Sequence, residues 1–200
     1  HPRYTSEDLL AFYMITGGVA KYIEQLVVRK AFTKDKILKT VLSEGSYFLE
    51  EGRDVLIEEF GRDYTNYFSV LSLIASSKTT RGDIESTLNM PVGGYLDKLE
   101  NEYNLIRRTR PFMAKEGSRN NKYKIEDNFL RFWFRFVYKY RSAVEIGNLD
   151  YVREIVERDY ETFSGNVLEK YFRVCLAESK EYSDVQGYWD RKGENEIDIV

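Results

Sequence analysis

Two hundred residues, 42% apolar and 32% charged, with 30 Lys and Arg against 33 Asp and Glu, describe a globular chain and exclude a disordered tail. No apolar run approaches the ~20 residues of a membrane span, and the single cysteine, Cys175, excludes an internal disulfide framework and a cysteine-built zinc site. No basic start followed by an apolar stretch marks a signal peptide, so the expected setting is reducing and cytoplasmic, without membrane contact.

The net charge of −3 is unevenly spread: residues 1–60 carry −2, residues 61–141 carry +6 and residues 142–200 carry −7. A basic middle between acidic flanks suggests separate units with separate partners, unless solvated faces merely differ. Residues 1–60 read as a helical subdomain. Ser6 is the expected cap of a helix bearing Leu9, Leu10, Phe12 and Tyr13, which Gly17-Gly18 ends. A second helix carries Val19, Tyr22, Ile23 and Leu26, a third begins near Thr33, and a fourth runs from about Gly52 to Phe60.

Residues 61–127 follow a more specific order. An apolar helix over Tyr64–Ser76 precedes a short helix, Arg81–Leu88, capped by Thr79-Thr80. A turn at Asn89-Met90-Pro91 leads into a third helix ending near Tyr103. Leu105–Arg110 alternates as a strand, Lys115–Asn121 reads as a loop and Lys122–Ile125 as a second strand. Helix, helix, helix, strand, loop, strand is the order of a winged helix-turn-helix. Arg107, Arg108, Arg110, Lys115, Arg119, Lys122 and Lys124 gather on the strands and wing. That cluster could neutralise DNA phosphates and would make binding salt-sensitive. The third helix, however, sets Asp97, Glu100 and Glu102 against Lys98, an unfavourable face for a polyanion. A protein contact is therefore the leading expectation for this unit, and wing-mediated nucleic-acid contact the alternative.

Residues 128–141 form a linking aromatic helix whose stripe of Phe129, Phe132, Trp133, Phe136 and Tyr140 reads as a packing spine. Residues 142–200 should contain two helical stretches, near Leu149–Glu157 and Tyr160–Glu181, then strands at Val185–Trp189 and Glu196–Val200. A start on His1-Pro2 and an end on an apolar strand suggest a piece of a longer protein. No internal histidine exists to build a serine triad or a histidine metal site, and Cys175 reads as a core residue.

Three stretches together resemble the C-terminal half of prokaryotic archaeal-type ATPases, which are AAA+/STAND-like P-loop proteins. Met14-Ile15-Thr16-Gly17-Gly18-Val19-Ala20-Lys21-Tyr22 is similar to the lid segment of that family. The run from Tyr123 to Phe136, through Asp127-Asn128-Phe129-Leu130-Arg131-Phe132-Trp133, resembles the segment after its wing. Gly187-Tyr188-Trp189 with Glu196-Ile197-Asp198-Ile199-Val200 is similar to the start of a restriction-endonuclease-like domain. The resemblance implies an ATPase core before residue 1, because the chain lacks the G-x-x-x-x-G-K-S/T loop that cradles phosphates. It implies ATP and Mg for the longer parent, with none bound strongly by this chain alone. It places Gly17, Gly18 and Val19 against the nucleotide, although Ala20 stands where the family usually has Pro, and a plain interhelical turn is the competing reading.

The resemblance also implies a metal-dependent nuclease site. Glu169 would be its helix carboxylate and Asp198 its strand carboxylate and metal ligand, since hard cations take oxygen ligands. The Glu-x-Lys that completes such a site is not among these residues, so an interaction domain of degenerate nuclease type is the competing expectation. The expected fold is α+β and mostly helical: a lid-like helical subdomain, a winged helix-turn-helix and the start of a nuclease-like α/β unit. The expected function is the regulatory or effector portion of an ATP-binding protein, coupling nucleotide state in its own N-terminal ATPase core to a protein or nucleic-acid partner. The alternatives are a stand-alone winged-helix nucleic-acid-binding protein and a metal-dependent DNA nuclease at full length.

Overall fold

A computed structural model describes residues 4–115, 120–190 and 194–200. The architecture is predominantly helical with two small antiparallel strand pairs, the coarse α+β class expected. Helix α1 (Ser6–Thr16) is capped by Thr5 rather than Ser6. The Thr5 hydroxyl accepts the Asp8 N–H at 3.1 Å, and the Asp8 carboxylate accepts the Thr5 N–H at 3.0 Å, a reciprocal capping box. Gly17 ends the helix at φ 55°, a conformation glycine adopts without a Cβ penalty. Helices α2 (Ala20–Val28), α3 (Lys34–Val41) and α4 (Tyr47–Phe60) follow.

Helix α4 starts five residues before the expected Gly52, which lies inside it. Glycine weakens helix interiors, which is why the sequence suggested a start there. The glycine is kept because the Trp133 indole lies against it: an added Cβ would stand 2.5 Å from Cγ and closer still to Cδ2.

A 3-10 turn (Gly61–Asp63) leads to α5 (Tyr64–Ala75), α6 (Arg81–Leu88) and α7 (Gly93–Asn101). Strand β1 (Ile106–Thr109) pairs antiparallel with β2 (Lys122–Ile125), setting Ile106 opposite Ile125 and Thr109 opposite Lys122. Alternation turns Ile106, Tyr123 and Ile125 inward and Arg107 outward; Arg108 shares the face of Ile106 but is exposed, beside Glu100. The ribbon packs on α5 and α7.

The aromatic segment is not one regular helix. It runs as α8 (Asn128–Phe132), a π-helical stretch (Trp133–Tyr138) and α9 (Arg141–Glu145). The wider π turn accompanies burial of Trp133, Phe134, Phe136 and Val137 together. Phe134 meets Phe68 of α5 edge-on at 5.3 Å, while Phe136 meets Phe163 at 5.1 Å.

Phe163 belongs to α10 (Leu149–Ser179), one helix of 31 residues where two were expected. No proline interrupts this run, and its one glycine, Gly165, faces open space. Its first half is buried in the core, and its second half exposes Leu168, Tyr171, Phe172 and Val174. Strands β3 (Tyr188–Trp189) and β4 (Glu196–Ile197) form a short antiparallel pair, much shorter than the two strands expected. The buried apolar side chains from Ala11 to Val167 make one continuous cluster, with the π stretch at its centre.

Candidate functional site

The basic ribbon is engaged by the chain's own acids. Arg108 Nε lies 3.6 Å from Glu100 of α7, and Arg107 Nε lies 3.4 Å from Glu126. Lys124 Nζ reaches Glu169 of α10 at 3.0 Å. Lys122 Nζ reaches Glu196 of β4 at 2.6 Å and sits over the Trp189 ring at 4.7 Å. Backbone bonds fix this end: the Phe112 N–H donates to the Gly187 carbonyl at 2.7 Å, and Trp189 Nε1 donates to the Asn120 carbonyl at 3.3 Å. Arg110 and Lys115 are exposed and make no ion pair among the described residues. Arg119 lies outside the described residues.

Between the ribbon, the aromatic segment and α10 lies a groove of about 390 Å3, within the size range of small-ligand sites. Alternation brings Arg107 and Lys124 to it from the ribbon. Four-residue spacing brings Arg131 and Arg135 from the aromatic segment, and α10 supplies Asp159, Glu169, Lys170 and Arg173. Arg135 Nη2 reaches Asp159 at 2.7 Å. The Asp159 carboxyl is held below its ordinary pKa by its hydrogen bond from Arg158, with Arg135 adding to the effect against burial. Burial pushes the Lys170 ammonium below its usual pKa, and its Nζ donates to the Glu126 carbonyl. Burial likewise lowers the pKa of Arg131, which lies 5.4 Å from the Phe163 ring centre.

The two residues read as a nuclease pair both touch Arg173, Glu169 by its carboxylate and Asp198 by its backbone carbonyl. Glu169 accepts from Arg173 Nη2 at 2.8 Å as well as from Lys124. The Arg173 guanidinium also donates to the Asp198 backbone carbonyl. Asp198 is exposed and contributes nothing to the groove lining. Among the described residues, no three His, Cys, Asp or Glu side chains gather as a metal site.

Gly17, Gly18 and Val19 form the turn between α1 and α2, packed on the start of the aromatic segment. A Cβ at Gly17 would lie 3.4 Å from Asn128 Cβ, while Asn128 Nδ2 donates to the Tyr13 carbonyl at 3.3 Å. Gly18, at φ 86°, faces open space. The Asn128 Oδ1 beside this turn is buried without a partner.

Sequence reasoning placed Glu169 and the ribbon cations but did not see that they meet. Arg131 and Arg135 both line the groove from the aromatic segment, and of the two Arg135 pairs with an acid of α10. The inward turn of Arg131 had no signal beyond its four-residue spacing from Arg135.

Comparison with known proteins adds a coarse placement. Residues 133–200, from the π stretch to Val200, match the DUF234 family model, described as archaea bacterial proteins of unknown function. An uncharacterized protein of Methanocaldococcus jannaschii is 30% identical over 207 aligned residues that cover the whole of this chain. The chain spans 46% of that relative's length. No solved structure matches. No helix among the described residues is long and apolar enough to cross a membrane.

Proposed function

We propose that this chain is the regulatory or effector portion of an ATP-binding protein, with the nucleotide core outside these residues. In this reading α5, α6, α7 and the β1–β2 ribbon are a winged helix that serves as a protein-docking platform. The reading rests on the resemblance of the Gly17 turn and the aromatic segment to archaeal-type ATPases, an argument by analogy. It is supported by a relative more than twice as long as this chain. The structural observation that carries it is the pairing of Lys122 with Glu196 and Lys124 with Glu169. Cations so paired are withheld from DNA phosphates. ATP and Mg belong to the parent, because the residues here include no phosphate loop.

Hydrogen exchange of the longer protein tests it, with and without ATP and Mg. Exchange at residues 17–19 and 128–138 should slow when nucleotide binds. Unchanged exchange at both places with the core saturated overturns the reading.

A second reading, nucleic-acid contact through the wing, is favoured by Arg110 and Lys115, which are exposed near Met113 and make no ion pair among the described residues. Titration with duplex DNA across a salt series separates the two. A steep salt slope that Arg107→Glu, Arg108→Glu and Lys122→Glu together abolish would favour the second. No binding at low salt discards it. The nuclease reading gains no support here, since the Glu169 carboxylate is held by Lys124 and Arg173 while Asp198 is exposed and outside the groove lining.

A further inference from the structure

The groove beside α10 is lined by six cationic side chains and three carboxylates, an excess of three positive charges. Each acid is already held. Glu169 lies between Lys124 and Arg173, Asp159 between Arg135 and Arg158, and Glu126 beside Arg107 and Lys170. Arg131 is left over. Among the described residues no hydrogen bond or ion pair reaches its guanidinium, which lies 5.4 Å from the Phe163 ring; Glu169 and Glu126, both held by other cations, act on it only from a distance. Arginine stays protonated in proteins, so a part-buried guanidinium without an ion pair of its own gains when an anion comes to it. Acceptors are also short at Arg173, whose Nε is sealed from solvent with no partner among the described residues.

We propose that this groove binds a small ligand bearing a diphosphate, free or carried on a nucleoside, with its phosphate oxygens on Arg131 and Lys170. A single carboxylate would leave most of the excess charge unmatched. A diphosphate, at roughly 1.5 to 2 negative charges per phosphate, matches it. The planar fork of Arg131 suits two phosphate oxygens at once. Ile74, Ala75, Val174 and Val185 line the same groove and offer an apolar bed for a base. This site is separate from the ATPase core invoked above and does not rest on it.

Calorimetric titration of the chain with pyrophosphate and with ADP tests the proposal, in magnesium-free buffer at fixed ionic strength. Saturable binding is expected. Arg131→Gln should weaken it at least tenfold, and Lys36→Gln, an exposed cation on α3, less than twofold. If Arg131→Gln does not fold by circular dichroism, Lys170→Gln supplies the same comparison from the other wall. Equal affinity for both probes identifies free diphosphate, and tighter ADP binding identifies a nucleotide. The proposal is overturned if neither probe binds saturably, or if the groove variant binds as the parent does. Equal losses in the groove and Lys36 variants, or Arg131-dependent binding confined to a DNA duplex, overturn it as well.

Discussion

Gly52 and Trp133 show how one position can decide a helix's partner. The indole covers the glycine, and its Nε1 donates to the Leu49 carbonyl at 2.8 Å, three residues earlier on the same helix. Gly52→Ala gives the helix a better former, yet it drives a methyl into a ring that has no free space. The steric term wins, and we expect a net loss of about 3 kcal/mol, read from urea unfolding at pH 7. A stabilised variant would mean that the indole does not sit there. Trp133→Phe should lose about 2 kcal/mol, from the unmade hydrogen bond and the smaller ring. None of this was legible in the sequence. Gly52 looked like a boundary, because a contact across 81 positions leaves no trace in local propensity. Glu169 drew notice in the sequence as a candidate nuclease carboxylate, but its cationic partners come from β2 and from one turn further along α10, which local sequence does not show.

At the scale of elements, helix starts were the most legible feature. Thr80 caps α6 by accepting the Asp83 N–H at 3.2 Å, and Arg81–Leu88 is the helix the residues suggested. Two other caps carry acids whose pKa values move in opposite directions. Backbone N–H groups of Lys34 and Thr5 lower the Asp8 pKa below 3.8. Its contribution is therefore complete above pH 3.8 and is lost as pH falls through the lower folded value. Asp127 caps α8 by accepting the Leu130 N–H at 2.7 Å, but burial raises its pKa above 3.8. Its ionised form opposes folding at neutral pH, and that opposition is relieved as pH falls through the folded value. Asp8→Asn should therefore lower the urea midpoint at pH 7 and flatten its decline below pH 4. Asp127→Asn keeps a capping oxygen and should be at least as stable as the parent at pH 7, with any advantage fading toward pH 3. Equal slopes for the two variants would contradict these assignments. The single helix α10 was misread as two because the polar run Glu157-Arg158-Asp159 looks like a boundary. On the helix Glu157 and Arg158 stay exposed while Asp159 turns to Arg135.

At the scale of the molecule, the charge asymmetry of the sequence becomes an internal contact: acids of the C-terminal residues meet cations of the ribbon and the aromatic segment. Pairs with a solvent-exposed member contribute little, and Glu196 is exposed, so a double-mutant cycle on Lys122 and Glu196 should give coupling under about 1 kcal/mol. Removing one member of the more buried Arg135–Asp159 pair should destabilise by more, because its partner stays desolvated. Charge alone made separate units look natural, whereas the aromatic stripe, correctly read as a packing spine, pointed to a shared core. The coupling we propose, between a nucleotide-bearing neighbour and a docking surface, requires that these helices move as one body. The π stretch supplies the connection, through Trp133 to α4, Phe134 to α5 and Phe136 to α10. The most direct test is urea unfolding of a Trp189→Phe variant, followed at once by Trp133 fluorescence and far-UV ellipticity. One coincident transition is predicted. A fluorescence change that precedes or trails the loss of helix would contradict the account.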